Sequence, residues 1–102
     1  MSKVGLYVKF MTHPGQRDAL VALLLEAAAG IQTVESCELY IVNVSATEPE
    51  TVWVTEVWSS AAAHDASLTF EGSKAMIKRA MPLIAGVERI DLLPIGGKGL
   101  MG

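Results

Sequence analysis

Trp58 and His64 are the two side chains whose types and spacing are best suited to chemistry on an aromatic molecule. A Trp ring can stack on a flat aromatic ligand, and an imidazole, with an ordinary pKa of about 6.5, suits a general base that removes a proton from such a ligand at neutral pH. The sequence therefore predicts Trp58 as a substrate-binding residue and His64 as a catalytic one. The alternatives are a core Trp and an exposed histidine with no chemical role.

Two further residues are candidates for substrate binding. Asn43 is the only Asn in the chain and lies in a β-rich run, where Asn is disfavoured. Its amide could orient a substrate carbonyl or hydroxyl group, and Tyr40, in the same run, could line the same pocket. An exposed strand end for Asn43 and sheet packing for Tyr40 are the alternatives. Glu56 lies two residues before Trp58 in the predicted strand, so both side chains face the same side of the sheet. This position suggests a buried carboxylate that pairs with a cation, and the sequence does not identify that cation.

The residues that usually bind metals or phosphates do not form a recognisable motif. His13 and His64 are far apart, Cys37 is the only cysteine, and neither HExxH nor CxxC occurs. The glycines at 96, 97 and 99 do not lead from a strand into a helix, as a phosphate-binding loop would. We therefore expect no metal and no cofactor.

Length, charge and hydropathy limit the classes of protein that fit. The 102 residues, 51% of them hydrophobic, predict one domain over 1–102, with an ordered core over about 3–95 and a Gly-rich tail at 96–102. A net charge of -3 argues against nucleic acid as a partner. The longest apolar run, 19–29, contains Glu26 and is shorter than the roughly 17–25 residues that cross a membrane. The single cysteine and the absence of a signal-peptide pattern at the N-terminus favour the cytoplasm.

The alternation of apolar and polar residues predicts four strands and two helices. The first strand alternates until Pro14 and Gly15 end it, and the first helix is apolar nearly all round, which predicts that it is largely buried. Pro82 should loosen the last turn of the second helix, which has a second candidate break near Gly72. The predicted strands cover 3–11, 37–45, 51–58 and 87–95, and the predicted helices cover 16–29 and 60–84. This order matches the ferredoxin-like βαββαβ arrangement, an α+β fold whose helices cover one face of an antiparallel sheet.

Both faces of the predicted sheet are apolar. The second strand directs Leu39 and Ile41 to one face and Tyr40, Val42 and Val44 to the other. The third strand directs one group (Val52, Val54 and Trp58) to one face and another (Trp53 and Val57) to the opposite face. Two helices can cover only one face, and a large exposed apolar surface usually binds a partner. The simplest partner is a second copy of the chain, which gives a homodimer.

The stretch Thr55-Glu56-Val57-Trp58-Ser59-Ser60, followed by Ala63-His64-Asp65-Ala66, resembles the antibiotic biosynthesis monooxygenase family. The order of the wider motifs agrees from Val4 to Ile95. The resemblance implies a ferredoxin-like dimer, a dimeric α+β barrel in which two sheets meet, with a pocket between sheet and helices in each subunit. Members of this family oxidise phenolic, quinol or anthrone-type aromatics with molecular oxygen, some of them without a metal or flavin.

The resemblance also shows where this chain departs from many family members. They place one histidine nine residues after the Trp of the third strand and another several residues later; here those positions are Ser67 and Gly72. His64 is the one histidine of the predicted second helix. The first hypothesis is a cofactor-independent monooxygenase acting on a small aromatic substrate. The others are a non-catalytic small-molecule-binding or stress-response dimer, and a regulatory module whose open sheet recruits another protein.

Overall fold

The computed structural model describes residues 2–99, and the predicted order of elements is confirmed. The elements are β1 (Val4–Thr12), α1 (Arg17–Gly30), β2 (Cys37–Val44), β3 (Thr51–Trp58), α2 (Ala61–Ser67), α3 (Glu71–Ala80), a 3₁₀ turn (Met81–Leu83) and β4 (Ile84–Leu92). Positions 1 and 100–102, and with them part of the predicted Gly-rich tail, lie outside the described residues. The extent of a single domain over 1–102 therefore stays a prediction.

The four strands form one antiparallel sheet in the order β2-β3-β1-β4. The central strand β1 pairs with β3 on one side and with β4 on the other. This is the ferredoxin-like arrangement, as predicted. Because side chains alternate along a strand, the pairing also aligns residues of one face across the sheet: Tyr40, Glu56, Leu6 and Asp91 form one such row.

The hydrophobic core lies between α1 and the helix-facing side of the sheet. Leu20 and Leu24 of α1 pack with Val52 and Val54 of β3, and all four are almost completely buried. The prediction that α1 is largely buried was wrong, because Leu25 is 53% exposed. A helix that lies on a sheet contacts it along one side only, and an apolar sequence does not indicate which side.

The second helical segment, predicted over 60–84 with a candidate break near Gly72, is interrupted close to that position. The helix α2 ends at Ser67 and α3 begins at Glu71, just before the predicted break at Gly72. The Ser67 hydroxyl donates to the His64 carbonyl (2.6 Å) and the Thr69 hydroxyl to the Ala66 carbonyl (2.7 Å). These side-chain bonds occupy carbonyls at the end of α2 and compete with helical continuation. The looser last turn predicted at Pro82 is confirmed as the 3₁₀ turn.

The last strand is shifted by three residues from its prediction, 87–95. It starts at Ile84, directly after the 3₁₀ turn, and ends at Leu92. Pro94 explains the early end, because proline has no N–H with which to continue a ladder. Its ring lies so close to Gly5 of β1 that a Cβ added at Gly5 would be 3.2 Å from Pro94 Cγ.

No helix of the described part of the chain covers the face of the sheet opposite α1–α3. Ile41, Thr55, Tyr7 and Ile90 form a row across all four strands of this outer face. Three of the four are apolar or aromatic side chains that are more than two-fifths exposed. Within residues 2–99, none of the helices has the length and apolar character needed to span a membrane.

Candidate active site

A cavity of about 640 Å³ lies between the helix-facing side of the sheet and the three helices. Cavities of roughly 300–1,000 Å³ are typical of small-molecule sites. Most of the wall is apolar and comes from β1, α1, α3 and the loop before α3, with Leu6, Val8, Phe10, Leu24, Phe70 and Met76 among the lining residues. Among the lining residues with polar groups are Tyr40, Glu56, Trp58 and His64.

Trp58 is the last residue of β3 and is 2% exposed. Residues two apart on a strand point to the same face, so Trp58 and Glu56 both face the cavity. The indole Nε1–H of Trp58 donates a hydrogen bond of 2.8 Å to Oε1 of Glu56. A hydrogen bond to a carboxylate is stronger than one between neutral groups, so Glu56 fixes the orientation of the ring.

His64 is placed beside Trp58 by the first turn of α2. Ser60 caps this helix, as its sequence context suggests, by accepting a hydrogen bond of 3.1 Å from the Ala63 amide. His64 is only 7% exposed, and its ring meets the Trp58 ring edge-on, with centroids 5.6 Å apart and planes at 70°. The alternative of an exposed histidine is therefore wrong.

The imidazole of His64 lies between two carboxylates. Its Nε2 is 4.0 Å from Glu56 Oε1, and its Nδ1 is 3.6 Å from Asp65 Oδ1. Both distances exceed those of ordinary hydrogen bonds. The Glu56 side chain is 12% exposed whereas that of Asp65 is 77% exposed, so only Glu56 offers a charge that water screens weakly.

Tyr40 lies next to Glu56 across the β2–β3 pair and lines the same cavity. Burial, together with the Glu56 carboxylate and Cys37, raises the pKa of the Tyr40 hydroxyl well above its usual range. The hydroxyl therefore stays protonated at neutral and moderately alkaline pH. It can donate a hydrogen bond to a ligand oxygen.

Asn43 lies on the outer face of the sheet, away from the cavity. Its side-chain amide donates to the Trp53 carbonyl (3.2 Å) and the Thr55 hydroxyl (3.3 Å). The structure brings Tyr40, Trp58 and His64 together but does not bring Asn43 to them. Strand parity explains this, because Asn43 alternates with Val42, which faces the helices.

The chain matches the family model described as Antibiotic biosynthesis monooxygenase over residues 4–79. The chain belongs to this family. The matched segment extends from β1 into the last turn of α3 and contains every candidate site residue named above.

Solved structures agree with the family assignment. One from Chloroflexus aurantiacus J-10-fl, named after the same family, is 39% identical, covers 94% of this chain and 96% of its own, and has a TM-score of 0.86. A second from Caulobacter crescentus CB15, also named after the family, is 22% identical, with coverage of 93% and 92% and a TM-score of 0.86. Rv0793 from Mycobacterium tuberculosis is 23% identical, with coverage of 95% and 99% and a TM-score of 0.84. The last two show the fold alone. No curated protein sequence matches the chain.

Ser67 and Gly72, the two positions to which the family resemblance drew attention, also line the cavity. Ser67 follows His64 by three residues on α2, so both side chains lie on one face of the helix. Gly72, at the start of α3, has open space where a Cβ would be. A histidine one turn earlier on the helix thus reaches the cavity that those positions line.

Arg89 of β4 was not singled out by the sequence. It lines the large cavity and a smaller one of about 170 Å³ beside it, which Leu6 and His64 also line. Its Nε donates to Asp91 (2.6 Å), so part of its charge is already neutralised. The sequence pattern that could have identified Arg89 is the alternation of side chains along β4. Arg89 lies two residues after Val87, so both face the helix layer.

The cavity reaches the protein surface between α1 and α3. Glu26 of α1 and Arg79 of α3 both line it, and their side chains are about three-fifths exposed. Two contacts of 3.5 Å join the guanidinium to the carboxylate across this opening. Within residues 2–99, no group of three or more His, Cys, Asp or Glu side chains is placed to hold a metal ion.

Proposed function

We propose that this chain is a cofactor-independent monooxygenase that oxidises a small phenolic, quinol or anthrone-type aromatic with O₂. The observation that carries the proposal is the meeting of Trp58, His64 and Tyr40 on one largely apolar cavity. Family membership supports the reaction class. The chemistry below follows from what these three side chains can do to a hydroxylated ring.

The reaction begins with a proton transfer. The substrate ring lies against Trp58, and the Tyr40 hydroxyl donates a hydrogen bond to a substrate oxygen. The substrate O–H bond breaks as an N–H bond forms at Nε2 of His64, which leaves a phenolate. Because the cavity is mostly apolar, the charges that form are weakly screened by water.

Oxygen then reacts with the phenolate. One electron passes from the phenolate to O₂, and the two radicals combine to form a carbon–oxygen bond. His64 returns its proton to the peroxide, which becomes a hydroperoxide. The C–H bond at the same carbon and the O–O bond then break together: the C–H electron pair forms the carbonyl, and the hydrogen leaves as a proton that combines with the departing hydroxide to give water. The substrate supplies all four electrons that reduce O₂, and no external reductant is consumed.

Oxygen-consumption screening against quinols, anthrones and flavonols tests the proposal, with a metal chelator present in a parallel set. We expect uptake to survive the chelator and to fall by roughly 10²–10⁴-fold in His64→Ala. His13→Ala is the matched control, because His13 is the only other histidine and is exposed in the turn after β1. Uptake that persists in His64→Ala would contradict the role of His64. Ligand binding that quenches tryptophan fluorescence without any uptake would favour the non-catalytic small-molecule-binding dimer.

We also propose that the chain works as a homodimer that pairs the outer faces of two sheets. The row of Ile41, Tyr7 and Ile90 supports this, because exposed apolar surface of this extent usually binds a partner. We expect a sedimentation mass of two chains and a buried interface on the order of 1,200 Å² or more. Ile90→Glu should shift the mass to one chain, whereas Leu25→Glu, an equally exposed position on the helix layer, should not. A monomeric wild type at micromolar concentration would contradict the proposal. The cytoplasmic location stays a prediction from the sequence.

A further inference from the structure

Glu56 lines the cavity with a side chain that is 12% exposed, and it lies beside Trp58 and His64. Its Oε1 accepts the Trp58 indole hydrogen bond and lies 4.0 Å from His64 Nε2. Burial of a charge is costly unless partners compensate for it. The indole N–H is one such partner, and an imidazolium at His64 would be the second. Neutral His64 leaves this second interaction unused.

We propose that Glu56 is the positioning residue of the site: it orients the Trp58 ring and stabilises the positive charge that His64 acquires when it takes the substrate proton. This proposal rests on the proposed function, which gives His64 its proton. The proton passes from the substrate oxygen to Nε2, beside the Glu56 carboxylate. A carboxylate at 4.0 Å in a weakly screened site favours the imidazolium over the neutral ring.

Other charged groups also face His64, and their effects on its ring must be distinguished from the effect of Glu56. Asp65 lies on the Nδ1 side but is mostly exposed, so solvent screens it. Arg89 and Asp91 of β4 line the small cavity with His64, and they pair with each other. Tyr40 of β2 remains a neutral hydroxyl. Glu56 is therefore the buried anion that acts on Nε2.

Glu56→Gln separates charge from hydrogen bonding, because the Gln carbonyl can still accept the Trp58 Nε1–H while the negative charge is lost. NMR titration of the ligand-free protein measures the effect directly, and the only other histidine, His13, is an internal reference. We expect His64 to lose its proton at a pH about one unit lower, or more, in Glu56→Gln. His13 should titrate as in the wild type. Glu56→Asp, which keeps the charge, should lie between the two.

Kinetics of the same variants give the second readout. Glu56→Gln should lower kcat by roughly 10–100-fold with little change in KM, and the acid limb of its pH profile should move to lower pH. Glu48→Gln, at an exposed position in the β2–β3 turn, is the matched control and should match the wild type. An unchanged His64 titration in a folded Glu56→Gln protein would overturn the proposal. If the wild type shows no oxygen uptake with any substrate, the proposed function fails, while the titration still decides whether Glu56 acts on His64.

Discussion

Replacement of Trp58 by Phe should destabilise the protein much more than the same replacement at Trp53. Phe keeps an aromatic ring in the site but removes the Nε1–H that Glu56 accepts at 2.8 Å. A hydrogen bond to a charged group contributes about 1.5–3 kcal/mol to the free energy of unfolding. Because Trp58 is 2% exposed, the lost five-membered ring also leaves a void that costs on the order of 1 kcal/mol. The expected loss is about 2.5–4 kcal/mol.

Chemical denaturation followed by circular dichroism measures this loss at fixed protein concentration. The change should also lower the Tm by about 10 °C or more, since each kcal/mol corresponds to roughly 4–8 °C in a domain of 60–100 residues, close to the length of this chain. Trp53 lies on the outer face, with the Lys9 ammonium 5.7 Å from its ring. A cation–π contact at a partly exposed site contributes about 0.5–1 kcal/mol, so Trp53→Phe should cost less than about 1 kcal/mol.

A second comparison tests whether the charge on Glu56 accounts for the stability lost in Trp58→Phe. In a Glu56→Gln background the bond lost is one between neutral groups, which contributes about 0.5–1.5 kcal/mol. Trp58→Phe should therefore cost about 1 kcal/mol less there than in the wild type. Equal losses for Trp58→Phe and Trp53→Phe would refute the reasoning, because they would show that the buried indole–carboxylate bond adds nothing.

Three further changes give clear expectations. Burial, then the Glu56 carboxylate, raises the pKa of Cys37 from 9.0 to about 11, so the folded chain holds this proton more tightly than the unfolded chain. The contribution of this proton to the free energy of unfolding is complete below pH 9.0 and is lost as the pH rises to about 11. Cys37→Ala should therefore reduce the decline of the unfolding free energy at alkaline pH. Asn43→Ala should leave ligand affinity and turnover unchanged, and a tenfold loss of either would show that the outer face contributes to the site. Ser60→Ala should cost about 0.5–2 kcal/mol in thermal unfolding because it removes the cap of α2. Its neighbour Ser59 caps no helix and should tolerate Ala. Equal losses of unfolding free energy for Ser59→Ala and Ser60→Ala would contradict the capping role.

Much of the fold follows from local patterns in the sequence. Period-two alternation located all four strands and separated each into two faces, with Tyr40 beside Val42 and Trp58 beside Val54, because one buried face imposes one register. The same alternation places Asn43 on the face opposite Tyr40 and Val42. The rarity of Asn in strands favours a binding role, whereas its alternation with Val42 is the geometric constraint that decides its face.

Other features depend on contacts that a sequence does not display. The end of β4 depends on Pro94, whose ring packs on Gly5 at the far end of the chain. The apolar surface of α1 extends nearly all round, so only the packed structure shows that Leu24 is buried and Leu25 is exposed. The 4.0 Å contact between Glu56 and His64 is made between β3 and α2, which are separated by a short connection. The contact depends on the direction in which α2 starts, and the cap at Ser60 stabilises that start.

The ion pair between Glu26 and Arg79 should be only a weak barrier to a ligand that passes between α1 and α3. Both side chains are mostly exposed, and exposed ion pairs contribute only about 0–1 kcal/mol. Such a barrier is crossed by side-chain rotation alone, on the picosecond-to-nanosecond timescale of exposed rotamers. Ligand association should therefore need no separation of α1 from α3, and its rate constant should depend only weakly on the salt that screens this pair.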